Sequence, residues 1–233
     1  MFRFKQFIIN DERSTMKVGT DALLVSALSP VPEKGNILDI GTGCGVIALL
    51  KAQQSKCLID AIDVDELSII EAKENFAASA WNDRLSAIAT SLQDYAVQCT
   101  KKYELIISNP PFFLKSLKGE NLRRNLARHN DMLSLHDLYA GVNKLLSDEG
   151  TFSVILPADL QNTAISVAMQ NGLFLNKLIS VVTREGKPAT RVVMFFSGKN
   201  PDLISGKLTI SDVNDKYTEE YRQLMKPYLT IFS

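Results

Sequence analysis

The sequence predicts an α/β protein: a mostly parallel sheet of seven strands, ending in an antiparallel hairpin, with helices on both faces. Three observations predict it. From Asn36 to Ser197 short β-rich runs alternate with longer segments of helical period, in the order βαβαβ…βαβαββ, which is the signature of βαβ units. The first run meets its helix through Gly41-Thr42-Gly43-Cys44-Gly45, a glycine turn placed at the carboxyl end of a strand, where open α/β sheets bind ligands. The last two runs, Leu173 to Thr183 and Arg191 to Ser197, read as the closing hairpin.

Residues 1–35 read as a strand–helix extension packed on the core. Residues 2–9 alternate loosely and read as one strand, and Asn10 to Arg13 as a polar turn. Thr20 reads as the N-cap of a helix running through Ala22 to Leu28, with Asp21 in its first turn, where a carboxylate is favoured. Pro30, Pro32 and Gly35 end that unit. The core domain, 36–197, opens with a strand at Ile37 to Ile40 and a helix at Val46 to Gln54. Leu58 to Asp63 is the next strand. A helix from Asp65 to Ala80 follows, with Ile69, Ala72, Phe76 and Ala80 at helical spacing on one face and Asp65 better suited to capping it than to binding a ligand. Leu85 to Thr90 and Tyr103 to Ser108 are strands.

Residues 113–133 show little apolar periodicity, and connections of that length are usually functional or disordered. Ser134 and Asp137 resemble a capping box at the start of a helix to Leu146. Gly150 to Leu156 is a strand; Pro157 is placed in the first turn of a helix reaching Asn171, with Gly172 as its stop. The tail, 198–233, gives a short strand at Lys207 to Ile210 and a short helix at Thr218 to Lys226.

A chain of 233 residues can bury a full core without staples. It has no run of eighteen apolar residues and no signal-peptide h-region after Met1, so neither a transmembrane helix nor export is expected. Cys44, Cys57 and Cys99 are odd in number and widely spaced, and His129 and His136 are off metal spacing. The expectation is a reduced, cytoplasmic, metal-free monomer. The 26 Lys and Arg balance 26 Asp and Glu, so any nucleic-acid binding must rest on a local patch. One exists: Lys115, Lys118, Arg123, Arg124 and Arg128 lie close together, with Glu120 the only acid among residues 115–128. Such a patch suits phosphates, and a solvated loop is its plainer reading. Arg184, Lys187 and Arg191 are candidates to extend it.

Two stretches carry candidate chemistry. In the glycine turn, Gly41, Gly43 and Gly45 let the backbone approach a ligand, and Asp63, ending the next strand, is placed to accept from both hydroxyls of a ribose. A dinucleotide site requires a third glycine where Val46 stands. Asp39 two residues before the turn completes Asp-x-Gly-x-Gly-x-Gly, the pattern that separates S-adenosylmethionine (SAM) enzymes from dinucleotide binders. An acid there suits a cationic ligand better than a phosphate. Asp94 is placed to accept from an adenine amine, or else is a solvated loop acid. The second stretch is Asn109-Pro110-Pro111-Phe112, directly after the apolar run Leu105 to Ile107. Two prolines end the ladder and stiffen the strand tip. Asn109 and the Pro110 carbonyl offer acceptors, and Phe112 a stacking face: a holder for a planar amine-bearing group, or a turn with a core Phe.

Asp39 to Gly45, Asp63, Asp94 and Asn109 to Phe112, in that order and spacing, resemble a class I SAM-dependent methyltransferase acting on an amino group. Phe4-Lys5-Gln6-Phe7, Met16 to Leu24, Ala127-Arg128-His129, Leu156-Pro157 and Arg191 narrow the resemblance to the bacterial valine-tRNA adenine-37 N6-methyltransferases, over residues 2–197. The resemblance implies SAM as cofactor, with Lys17 to Asp21 helping to close its pocket through Lys17 and Thr20. It implies Asn109, Pro110, Pro111 and Phe112 as the catalytic tip, and an anticodon loop on the basic patch. An unpaired loop base is cheaper to extrude than a paired one. Other readings are methylation of an rRNA guanine or adenine, methylation of a protein glutamine, and an idle SAM- or RNA-binding module. The glutamine families carry a helical N-terminal domain and Tyr at the position of Phe112, and this chain has neither.

Overall fold

A computed structural model describes residues 1–110, 133–200 and 202–232. The chain opens with β1 (Phe2–Arg3) and β2 (Ile8–Ile9), paired antiparallel with Phe2 opposite Ile9. The single strand expected over 2–9 is thus a hairpin. Phe4 N donates to Phe7 O at 2.9 Å across the turn, and the two rings stack at 4.5 Å. Helix α1 (Thr20–Leu28) has Gly19, not Thr20, as its N-cap, and no side chain caps it.

The βαβ units follow: β3 (Asn36–Ile40), α2 (Val46–Gln54), β4 (Leu58–Asp63), α3 (Glu66–Ala77), β5 (Leu85–Ala89), α4 (Leu92–Gln98) and β6 (Tyr103–Ser108). Asp65 does cap α3, accepting from Ser68 N at 3.0 Å. Ile69, Ala72 and Phe76 are buried as the spacing requires, but Ala80 lies beyond the helix and is exposed. Helix α4 was not anticipated. Leu92 is its one buried residue, so it lacks an apolar stripe. After the undescribed residues come α5 (Leu135–Leu145), capped by Ser134, and β7 (Leu146–Pro157). Pro157 ends that strand instead of starting a helix: it is extended, with φ −53° and ψ 140°, and Ala158 N still pairs with Thr190 O. A short 3-10 turn leads into α6 (Gln161–Gln170), then β8 (Phe174–Arg184) and β9 (Arg191–Ser197). The tail adds β10 (Ile204–Ser211) and α7 (Glu219–Met225).

The main sheet runs β10-β8-β9-β7-β6-β3-β4-β5, eight strands against the seven expected. The added strand is β10, paired parallel with β8, so the tail belongs to the sheet. Strand β9 alone runs opposite to its neighbours β7 and β8. One face buries a cluster with α1, α2, α3 and both chain ends, including Leu24, Leu49, Phe76 and Met225. The other buries a cluster with α4, α5 and α6, including Leu92, Tyr139, Val142 and Ala164. Strands β3 and β6, buried on both faces, hold the centre of the sheet, as continuous apolar runs in parallel strands do.

Candidate active site

The register brings three strand tips together. Ile40 on β3 lies opposite Ser108 on β6 and Ile62 on β4, and Asp63 lies opposite Ala89 on β5. The next residues, Gly41 and Asn109, therefore emerge side by side at the carboxyl edge. Ser108 Oγ donates to Ile40 O at 2.9 Å and fastens those two tips.

The glycine turn is set by its backbone. Gly41, Gly43 and Gly45 have φ of 71°, 54° and 88°, the left-handed region that an L side chain avoids. Gly41 N and Thr42 N both donate to Ile62 O, at 2.9 and 3.0 Å. A Cβ on Gly41 or Gly43 would meet nothing within 4 Å, so both face open space. A Cβ on Gly45 would lie 2.5 Å from the Phe76 ring: that glycine lets α3 close on the turn.

Asp39 sits beneath the turn, wholly buried. Its Oδ2 accepts from Thr42 Oγ1 at 2.6 Å and Ala48 N at 3.2 Å, while Oδ1 is buried with no partner among the described residues. Burial, against those two bonds and helped by the Asp63 charge, pushes its carboxyl up to about 7. Asp63 stands at the rim: Oδ2 accepts from Gly43 N at 2.9 Å and Oδ1 from Asp65 N at 3.0 Å, which fixes the carboxylate and leaves each oxygen a lone pair. Asp94 is exposed in the first turn of α4, in reciprocal bonds with Ser91 at 2.7 and 3.0 Å. It borders an open recess with Ala89 and Thr90, beyond the end of β5.

At the β6 tip, Pro110 is buried, and Asn109 Oδ1 is buried without a partner among the described residues. An amide oxygen in that condition costs free energy unless something donates to it. Pro111 and Phe112, and the patch of Lys115, Lys118, Arg123, Arg124 and Arg128, lie outside the described residues.

The N-terminal segment is stitched to this edge by α3. Glu71 accepts from the N–H groups of Glu12 and Arg13 at 2.8 and 2.9 Å and of Ser14 at 2.9 Å. Burial drives the Glu71 carboxyl upward, but the bonds from Arg13, Ser14 and Glu12 overcome it and hold it below its ordinary value. One turn on, Asn75 exchanges bonds with Asn10 and donates to Cys44 O in the glycine turn at 2.8 Å. Sequence reasoning missed both residues. Their signal was a polar pair four apart, each directly preceding a buried apolar residue, Ala72 and Phe76. Lys17 is turned away, donating to the carbonyls of Asp11 and Glu12 (3.2 Å to the latter). Thr20 borders a separate cavity shared with the chain ends. Arg191 pairs with Asp21 at 2.8 Å and Arg184 with Asp215 at 3.3 Å, so both are engaged within the protein.

The residues fit an adenosyl cofactor bearing a cationic amino-acid moiety. Open space stands over Gly41 and Gly43, Asp39 lies buried beneath the turn with one carboxyl oxygen free among the described residues, and the Asp63 carboxylate is fixed at the next strand tip by two backbone amides.

The family profile described as "Methyltransferase small domain" matches residues 13–163. A protein of Trichodesmium erythraeum is 42% identical over 230 residues, covering 97% of this chain and 96% of the relative. One of Bacteroides fragilis is 37% identical over 231 residues with the same coverage. Both are named tRNA1(Val) (adenine(37)-N6)-methyltransferase. Among solved structures, one of Agrobacterium tumefaciens titled "a predicted O-methyltransferase" superposes with a TM-score of 0.69 at 15% identity, over 88% of this chain and 95% of that one. A TehB-like SAM-dependent methyltransferase of Corynebacterium glutamicum gives 0.51 at 21% identity, over 79% and 90%. At those identities the two structures speak for the fold alone.

Proposed function

The chain belongs to the tRNA1(Val) (adenine(37)-N6)-methyltransferase family, and from that membership we propose that it transfers a methyl group from SAM to the N6 amine of adenine 37, beside the anticodon of a valine tRNA. The observation in this chain that supports the reading best is the buried Oδ1 of Asn109 at the tip of β6, without a partner among the described residues and one residue beyond the bond that ties that tip to the glycine strand.

SAM, when bound, supplies an electrophilic methyl on a sulfonium. Gly41 and Gly43 would hold it along their open backbone and Asp63 by its fixed carboxylate, with Asp39 supporting the turn from beneath and Asp94 accepting from its adenine amine. The methyl-accepting amine is a weak nucleophile, because its lone pair is delocalised into the base. Asn109 Oδ1 accepts one of its hydrogens and the Pro110 carbonyl the other, which localises the lone pair and aims it. Phe112 provides a stacking face. Rate then comes from orientation and from acceptors fixed before charge develops. The methylated nitrogen becomes acidic only after transfer, so its proton leaves to water. The basic residues of 115–128 take phosphates of the anticodon loop, and binding weakens as salt rises.

The test is transfer from tritiated SAM into total tRNA of a strain that lacks this gene, followed by nucleoside analysis. Label in N6-methyladenosine from valine tRNA is expected. Label in another nucleoside, or only in rRNA or protein, would reject the substrate.

A further inference from the structure

A cavity of about 330 Å³ lies between the two chain ends, at the lower end of the range for small-ligand sites. Phe2, Arg3, Gly19, Thr20, Tyr217 and Ile231 border it, and none of the glycine turn, Asp63 or Asn109 does. Three of these are large apolar side chains left in solvent: Phe2 is 36% exposed, Tyr217 46% and Ile231 65%. Apolar groups gathered around one hollow mark a binding surface more often than chance exposure. The Tyr217 ring is held in place, stacked on Tyr221 at 5.3 Å and set edge-on to Phe232 at 5.2 Å.

The polar side of the cavity suits an anion. Arg3 borders it, and so does the start of α1, which no side chain caps. The first N–H groups of such a helix are free and carry its positive dipole end. Asp21, the acid in that first turn, is taken up by Arg191. Aromatic rings beside a cationic corner are the requirements of one nucleotide: a base to stack and a phosphate to hold.

Position points to the same ligand. Tyr217 is bridged to Ser211 at the end of β10, which runs parallel to β8. The start of α1 is tied through Asp21 to Arg191, opposite Pro157 at the end of β7. Both walls therefore stand on the edge of the sheet that carries Asn109. Phe2, Arg3, Tyr217 and Ile231 fall outside the matched general domain at 13–163, yet the tRNA-methylating relatives align with 97% of the chain. The cavity is thus built largely from what the family adds to the common domain.

We propose that this cavity is a second RNA subsite, which takes an unpaired base of the substrate tRNA, close to the one methylated, on Phe2 and Tyr217, with its phosphate at Arg3 and the α1 N-terminus. The proposal rests on the tRNA reading above. The experiment is steady-state methylation of tRNA by wild type, Tyr217→Ala, which removes the stacking ring, and Thr230→Trp, which fills the hollow without removing packing. Thermal unfolding verifies that each variant is folded. The KM for tRNA should rise about tenfold in both variants, the equivalent of one lost base stack, with kcat and the KM for SAM unchanged. An anticodon stem-loop carrying 5-iodouridine beside the target should cross-link to the Phe2 or Tyr217 peptide. Unchanged tRNA KM in a folded variant, with wild type active, overturns the subsite and leaves the function standing; so does a rise in the KM for SAM alone. A wild type that methylates no tRNA overturns both.

Discussion

Gly43 and Gly45 share a left-handed backbone but answer different demands. Alanine at either costs about 1–2 kcal/mol in backbone strain. At Gly43 the new methyl would project into open space. Gly43→Ala should therefore cost a few degrees in unfolding temperature and weaken SAM binding at least tenfold by calorimetry. At Gly45 the methyl would collide with the Phe76 ring. Gly45→Ala should lose more stability than Gly43→Ala in urea titration, since α3 must move. Equal stability losses would contradict this division. Asp39 makes a second prediction at this scale. Its folded carboxyl titrates at about 7 against an ordinary 3.8, so the folded chain binds the extra proton between those values. Stability from this group is complete below pH 4, falls as pH rises toward 7, and is level above that. Asp39→Asn removes the fall. The SAM-free variant should gain on the order of 1 kcal/mol over wild type between pH 5 and pH 8 in denaturant titrations, while binding SAM more weakly at both. The acids and glycines of this site were legible in the sequence because each spacing has a local cause. The distinct task of Gly45 was not, because it depends on a ring from another helix.

At the scale of elements, α3 clamps the N-terminal segment to the glycine-turn edge through Glu71 and Asn75. Glu71→Gln keeps one acceptor oxygen and gives up the other, so the bonds to Glu12 and Arg13 and the bond to Ser14 cannot all survive. Amide exchange over residues 10–18 should accelerate about tenfold or more, with helices α5 and α6 unchanged, given 1.5–3 kcal/mol for a bond to a charged group. Unaltered exchange would show that the clamp is dispensable. Helix Val46–Gln54 and strands Leu58–Asp63 and Tyr103–Ser108 were readable to the residue, because dense apolar runs end there in turn residues. Helix α4 was missed because it buries one side chain, and β7 was read too short because the polar stretch Ser147 to Glu149 lacks an apolar pattern. The start of α1 was misplaced by one residue: Thr20 is a good cap by type, but Gly19 takes the extended backbone there.

For the whole molecule, the tail completes the sheet. Strand β10 covers the edge of β8, and Met225, Tyr228 and Phe232 join the core that holds α1 and α2. Removing residues 198–233 would bare that edge and this apolar surface, so the truncated chain should aggregate on purification; a soluble, cooperatively unfolding product would contradict the assignment. This integration escaped the sequence reading because Lys207 to Ile210 is short, and nothing local tells a strand which edge to join. Among the described residues no helix is long and apolar enough to cross a membrane. In the proposed reaction the Asn109 amide at the tip of β6 aims the adenine amine at a methyl held over the glycine turn. The decisive measurement is single-turnover transfer to valine tRNA by wild type and Asn109→Ala, with SAM affinity measured on the same samples. The variant should bind SAM within a few-fold of wild type and transfer at least a hundredfold more slowly, forming N6-methyladenosine at a residual rate. Near-normal transfer by a folded Asn109→Ala variant would contradict it.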